Sequence, residues 1–117
     1  NFVIISSIWS QNSRPGKLSY SVSKAASLAA VRSMAVDLGT AGIHVNAIAP
    51  GPIDSPMTRS NLSGDQIAKI SSETPIKRLV TLKEVASTVV KFANGEMQGI
   101  TGQEIVIDGG WGVSKLV

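Results

Sequence analysis

Phe2-Val3-Ile4-Ile5 is an unbroken apolar run rich in β-branched residues, the pattern of a short strand buried on both faces of a parallel sheet. Ser6 to Leu18 then turns polar and carries the Pro15-Gly16 pair, so a surface loop containing a turn is expected. From about Ser19 to Leu38 there is neither proline nor glycine, alanine is dense, and Val22, Ala26, Ala29, Ala30 and Met34 recur at near-helical spacing. A long, closely packed helix is predicted, with Gly39 or Gly42 placed to end it. Ile43 to Ile48 alternates apolar with polar or small residues before Ala49-Pro50-Gly51, which predicts a second strand stopped by a Pro-Gly turn.

Pro52 to Asn61 shows no period and reads as irregular. Ser63 and Gln66 then have the spacing of a capping box, with Leu62 and Ile67 placed as a hydrophobic staple, opening a short helix to about Ser72. The same grammar recurs at Thr81 and Glu84, with Val80 and Val85 as the staple, for a helix to about Asn94 that Gly95 can terminate. Glu104 to Ile107 reads as a last strand, closed by Asp108-Gly109-Gly110. No internal repeat or linker interrupts this order. The pattern β-α-β-α-α-β predicts an α/β fold with a parallel sheet.

With 117 residues, the chain holds one core and leaves little room for a second. Cysteine is absent, which removes disulfides, cysteine-zinc sites and thiol chemistry, and fits a reducing, cytoplasmic setting. The net charge of +3 raises the question of nucleic acid, but the 11 basic residues are dispersed among 8 acids and aromatics are 4%. No nucleic-acid partner is expected. Arg32 and Asp37 interrupt the most apolar segment, Ala25 to Leu38, which falls short of the roughly 18 residues a membrane span needs. A soluble protein with no membrane partner is expected. Asn1 leads straight into an apolar run with no charged start and no small-residue cleavage site, so the segment reads as a strand rather than a secretory signal. The chain is expected to begin mid-domain.

The informative constellation is Ser7, Tyr20 and Lys24. Ser7 falls just past the first strand, at the carboxyl edge where open parallel sheets bind ligands, and Tyr20 and Lys24 are four apart on one helix face. A free phenol gives up its proton only near pH 10, and an adjacent ammonium favours the phenolate. A hydroxyl such as that of Ser7 can hold a substrate oxygen while Tyr20 passes it a proton or removes one, the acid/base half of carbonyl-alcohol interconversion.

V-I-I-S-S at Val3 to Ser7, Y-S-V-S-K-A-A at Tyr20 to Ala26 with Tyr20 thirteen residues after Ser7, H-V-N-A-I-A-P-G at His44 to Gly51, and I-T-G-Q-E-I-V-I-D-G-G at Ile100 to Gly110 occur in this order. Together they resemble the short-chain dehydrogenase/reductase superfamily over essentially the whole chain. The resemblance implies a doubly wound, Rossmann-like parallel sheet, a small carbonyl or alcohol substrate, and NAD or NADP as cofactor. Tyr20 would be the acid/base, Ser7 would polarise the substrate oxygen, and Lys24 would favour the phenolate and hydrogen-bond the nicotinamide ribose. Pro50 and Gly51 would bring backbone close to the nicotinamide ring. The Ile53 backbone and the Ser55 hydroxyl would bind the carboxamide, with Thr58 a second candidate for that hydroxyl. The family's packing of the equivalent long helix against its copy implies a homo-oligomer, a dimer or tetramer.

Other residues take plainer readings. His44, the only histidine, reads as structural or surface, and no metal site is expected. Trp9 and Trp111 are candidates for the substrate crevice or for finishing a core, and Lys77-Arg78 for supporting a helix entry. The family's Gly-rich pyrophosphate turn, its ribose-reading residue and its catalytic asparagine have no counterpart among these residues. Residues 1–117 are therefore expected to be a single partial domain, the carboxyl-terminal half of a family member, whose first strand leaves an unpaired apolar edge. The alternative is a non-catalytic fragment acting only as an assembly or interaction piece. A basic binding module is disfavoured by the dispersed charge.

Overall fold

The structure, a computed structural model, describes residues 1–115. In chain order the elements are β1 (Phe2–Ile5), α1 (Leu18–Leu38), β2 (Val45–Pro50), β3 (Ile53–Asp54), α2 (Pro56–Asn61), α3 (Gly64–Glu73), β4 (Val80–Thr81), α4 (Leu82–Ala93) and β5 (Glu104–Ile107). Single 3-10 turns lie at Ile8–Ser10, Gly39–Ala41 and Val113–Lys115.

β1, β2 and β5 form a parallel sheet with β2 in the middle, Phe2 in register with Val45 and Ala47 with Glu104. All six residues of β2 are buried, as a central strand covered on both faces requires. Side chains alternate across a strand, and the two buried clusters fall on opposite parities of β2. Val45 and Ala47 pack with Val31 and Ala35 of α1, together with Ile4 of β1. Ile48 packs with Val80, Val85 and Phe92, together with Val3, Ile105 and Ile107. The fold is therefore α/β with helices on both faces of a parallel sheet, and the carboxyl ends of its strands share one edge.

Both capping boxes form. Ser63 and Thr81 each accept from the backbone N–H three residues on, and Gln66 and Glu84 reach back to the cap. Val80 and Val85, flanking the second box, share one buried cluster, as a hydrophobic staple should. Arg78 supports the same helix entry with two hydrogen bonds to the Glu84 carboxylate, 2.9 and 2.7 Å.

Four expectations are corrected. β1 is covered on both faces through Val3 and Ile4 but not along its whole length: Phe2 is 50% and Ile5 48% exposed, because among the described residues only β2 pairs with it. The inward stripe of α1 runs through Lys24, Leu28, Val31, Ala35 and Leu38, whereas Val22, Ala26, Ala29 and Ala30 face outward. Small apolar residues ring this helix almost evenly, so the larger Leu28 and Val31 decide which side is buried. The second strand starts at Val45, since Ile43 still caps the preceding turn through its N–H to the Leu38 carbonyl. Pro52 to Asn61 is partly ordered: Ser55 caps α2, Pro56 opens it, and β3 pairs in parallel with β4. No helix among the described residues is long and apolar enough to cross a membrane.

Candidate functional site

A cleft of about 430 Å³ opens at the carboxyl edge of the sheet, and Ser7, Tyr20, Lys24, Pro50, Gly51, Ile53 and Ser55 all line it. The chain brings them together because the loop after β1, the first turns of α1 and the segment after β2 leave the sheet at the same end.

Ser7 is buried and caps the short 3-10 turn, its Oγ accepting from the Trp9 N–H at 3.3 Å. A hydroxyl has one proton and two lone pairs, so this bond leaves the Ser7 proton free to donate into the cleft. Lys24 Nζ donates to the carbonyl of Ile5, the last residue of β1, at 3.0 Å. That tether uses one of its three N–H donors and fixes the ammonium over the strand end. Two cations stand close to the Tyr20 ring, Lys17 Nζ 5.2 Å and Lys24 Nζ 5.7 Å from its centroid.

The opposite wall comes from the segment after β2. Gly51 N–H donates to the Ile107 carbonyl at 2.9 Å, and a Cβ at Gly51 would stand 2.5 Å from Asp108 Cβ. Glycine is thus demanded here by the close approach of β2's end to β5's end. The Ile53 side chain packs into the core beside Ile48, so its backbone is what it offers the cleft. The Ser55 hydroxyl is engaged as the cap of α2, accepting from Thr58 N–H at 3.2 Å, and lies 3.1 Å from the Thr58 hydroxyl. Thr58 also lines the cleft. Behind that wall, outside the cleft lining, Asp54 and Arg59 join β3 to α2 with paired 2.8 Å hydrogen bonds, and the carboxylate raises the affinity of the guanidinium for its proton.

Trp9 and Trp111 both line the cleft and meet edge to face, with centroids 6.1 Å apart. Trp111 is carried there by a turn in which the Asp108 carboxylate accepts from Gly110 and Gly112 N–H, each at 2.8 Å. His44 lies outside the cleft. Its backbone carbonyl accepts from Phe2 N–H, and its buried Nδ1 has no hydrogen-bond partner among the described residues. Sequence reasoning missed Arg14 and Lys17 at the rim and the apolar wall of Met57, Leu62 and Ile70. The wall had a readable signal in Ser55-Pro56, a cap followed by proline at the first helical position.

Residues 1–112 match the family model described as Enoyl-(Acyl carrier protein) reductase. The chain belongs to the short-chain dehydrogenase/reductase family. Among curated family relatives it is 37% identical over 108 residues to the 3-oxoacyl-(acyl-carrier-protein) reductase FabG of Buchnera aphidicola, covering 92% of this chain and 44% of that protein. It is also 37% identical over 109 residues to a glucose 1-dehydrogenase of Gluconobacter oxydans, covering 92% of this chain and 41% of that protein. The chain spans less than half the length of these two relatives. Among solved structures, a putative gluconate dehydrogenase from Agrobacterium tumefaciens superposes with a TM-score of 0.88 at 28% identity, over 98% of this chain and 45% of that one. A 4-hydroxyisoleucine dehydrogenase complexed with NADH gives 0.86 at 29% identity, over 95% and 46%. The short-chain dehydrogenase fold is therefore shared over nearly all of the chain.

Proposed function

We propose that the protein is an NAD(P)-dependent oxidoreductase that interconverts a small carbonyl compound and its alcohol, with Tyr20 as the acid/base. The observation that carries this reading is the meeting of Ser7, Tyr20 and Lys24 in one cleft at the carboxyl edge of a parallel sheet.

The residues present fit the nicotinamide and ribose end of the cofactor. Ser6 Oγ is buried in the cleft wall with no hydrogen-bond partner among the described residues, and Lys24 keeps two N–H donors beyond its tether to Ile5. The Ile53 backbone and the paired hydroxyls of Ser55 and Thr58 stand ready for an amide on the opposite wall. When bound as NAD(P)H, the cofactor supplies the hydride that a carbonyl carbon accepts. Ser7 donates its hydroxyl proton in a hydrogen bond to the substrate oxygen and holds it beside Tyr20. Tyr20 gives that oxygen its phenolic proton as the alcohol forms, and takes it back in the oxidative direction. Lys24 holds the ammonium beside the ring and offers its remaining donors to the ribose hydroxyls. The relative solved with NADH supports this choice of cofactor class. Residues 1–117 carry the nicotinamide end alone, since Ser6-Ser7-Ile8-Trp9 after β1 is no glycine-rich phosphate turn. The outward stripe of α1, Val22, Ala26, Ala29 and Val36, supports a homo-oligomer joined through this helix.

Tyr20→Phe in the intact protein keeps the ring and removes the transferable proton. Turnover falls by roughly 10²- to 10⁴-fold with cofactor affinity nearly unchanged. Near-normal turnover in that variant overturns the assignment.

A further inference from the structure

Arg14, Lys17 and Lys24 line the cleft, and among the described residues no acidic side chain does. Lys24 is tethered to the Ile5 carbonyl, and its remaining donors are given to the ribose in the reading above. Neither Arg14 nor Lys17 has a carboxylate partner among the described residues.

The chain nevertheless carries both cations on one tight turn at the cleft. Arg14-Pro15-Gly16-Lys17 is a β-turn closed by Lys17 N–H to the Arg14 carbonyl at 3.2 Å, with Gly16 at φ 77°. Proline second and a left-handed glycine third are the requirements of a type II turn, which brings its first and last Cα atoms within about 7 Å. Each cation is also held against a ring of the cleft: the Arg14 guanidinium is 5.4 Å from the Trp9 centroid, and Lys17 Nζ is 5.2 Å from that of Tyr20. Both charges face the same cleft with no acidic side chain in its lining, so an anion bound there is attracted by both.

We infer that the carbonyl substrate bears a carboxylate, and that Arg14 and Lys17 receive it while Tyr20 faces the reacting oxygen. This rests on the oxidoreductase reading above and adds to it a substrate class, a short oxo acid or its hydroxy acid. Because Lys17 lies against the acid/base residue itself, the carboxylate and the reacting carbonyl are separated by only a few bonds. Met57, Leu62 and Ile70 form the apolar wall for the carbon chain.

Both tryptophans of the chain line the cleft, so their fluorescence reports occupancy without turnover. The intact protein is titrated with acetoacetate and levulinate and with their methyl esters, which replace the charged carboxylate by a neutral ester one methyl group larger. At low salt the acids bind at least about tenfold more tightly than the esters, and the preference shrinks as NaCl screens the rim. The double variant Arg14→Gln, Lys17→Gln loses the preference while ester affinity stays within about twofold, and Lys17→Arg, which keeps the charge, retains it. Equal binding of acid and ester by the parent protein, or a preference that survives the double variant, overturns the inference. Turnover of the same compounds with NADH and NADPH separates the two readings. Reduction without acid preference overturns the carboxylate assignment alone; acid-selective binding with no reduction overturns the oxidoreductase reading and the substrate class with it.

Discussion

Replacing Gly51 with alanine adds one methyl group at a point where two strand ends nearly touch. The new Cβ would lie 2.5 Å from Asp108 Cβ and 3.0 Å from Asp108 Cα. Carbon atoms in ordinary contact stand about 3.5 to 4.0 Å apart, so the end of β2 must part from the end of β5 by about 1 Å. The clash involves backbone rather than the tip of a flexible side chain, so relief has to come from the sheet. Overpacking of this kind costs about 1 to 3 kcal/mol. The displacement also reaches the cleft, because Asp108 holds the Gly110 and Gly112 N–H groups and so places Trp111 against Trp9. Gly39→Ala is the matched control: Gly39 has right-handed helical backbone, φ −60°, and nothing within 4 Å of the added carbon. It is neutral or stabilises by about 0.4 to 1 kcal/mol. Urea unfolding of the intact protein, followed by circular dichroism with a common slope, measures both. An unfolding free energy for Gly51→Ala within about 0.5 kcal/mol of the parent, or equal costs in the two variants, refutes the packing argument.

The Glu84 carboxyl is held at about 2, chiefly by its hydrogen bonds from Arg78 and then by those from the Thr81 backbone and hydroxyl, against 4.5 when free. A depressed carboxyl contributes stability above its unfolded value and loses it as pH falls through the folded one. Glu84→Gln therefore destabilises at pH 7, and the gap in unfolding midpoint closes between about pH 4.5 and 2; a gap constant across that window removes the ion pair as its cause. Titration of residues 1–117 alone with NADH and NADPH by calorimetry shows no tight binding, since neutral hydrogen bonds of about 0.5 to 1.5 kcal/mol each do not offset the several kcal/mol lost on association; micromolar affinity contradicts this. Sedimentation of the intact protein shows a dimer or tetramer, and Ala29→Glu on the outward stripe of α1 shifts it to smaller species. A stable monomer at micromolar concentration refutes that interface.

What could be read in advance was what is encoded locally. Phe2 to Ile5 and Glu104 to Ile107 fold as strands with the expected bounds, because a short β-branched run between turn residues needs no distant partner to be recognised. The capping boxes at Ser63 and Thr81 are likewise complete within four residues. The gathering of Ser7, Tyr20 and Lys24 in one cleft followed from a strand end and a helical repeat. What escaped depends on tertiary placement. β3 and β4 are two residues each and exist only through one another. The buried side of α1 is chosen by the sheet, since Val22 and Ala26 have the same local character as Val31 and Ala35. Arg14 and Lys17 were visible as flanks of a turn, but the sequence does not say that the turn points its cations at Trp9 and Tyr20.

The parallel register has a consequence for the order in which this protein is made. Phe2 waits for Val45, and Ala47 waits in turn for Glu104, so each ladder closes a loop of roughly 40 to 60 residues, and such distant pairings slow folding. At a synthesis rate of about 5 to 20 residues per second, β1 emerges from the ribosome several seconds ahead of β2, and β2 several seconds ahead of β5. During that interval the strand that becomes the most deeply buried part of the sheet has one bare edge, and its partner β5 is still being translated. Holdase chaperones therefore have their opportunity on the nascent chain between the appearance of β2 and that of β5, and a pause in translation there lengthens the exposure of an apolar edge to other nascent chains.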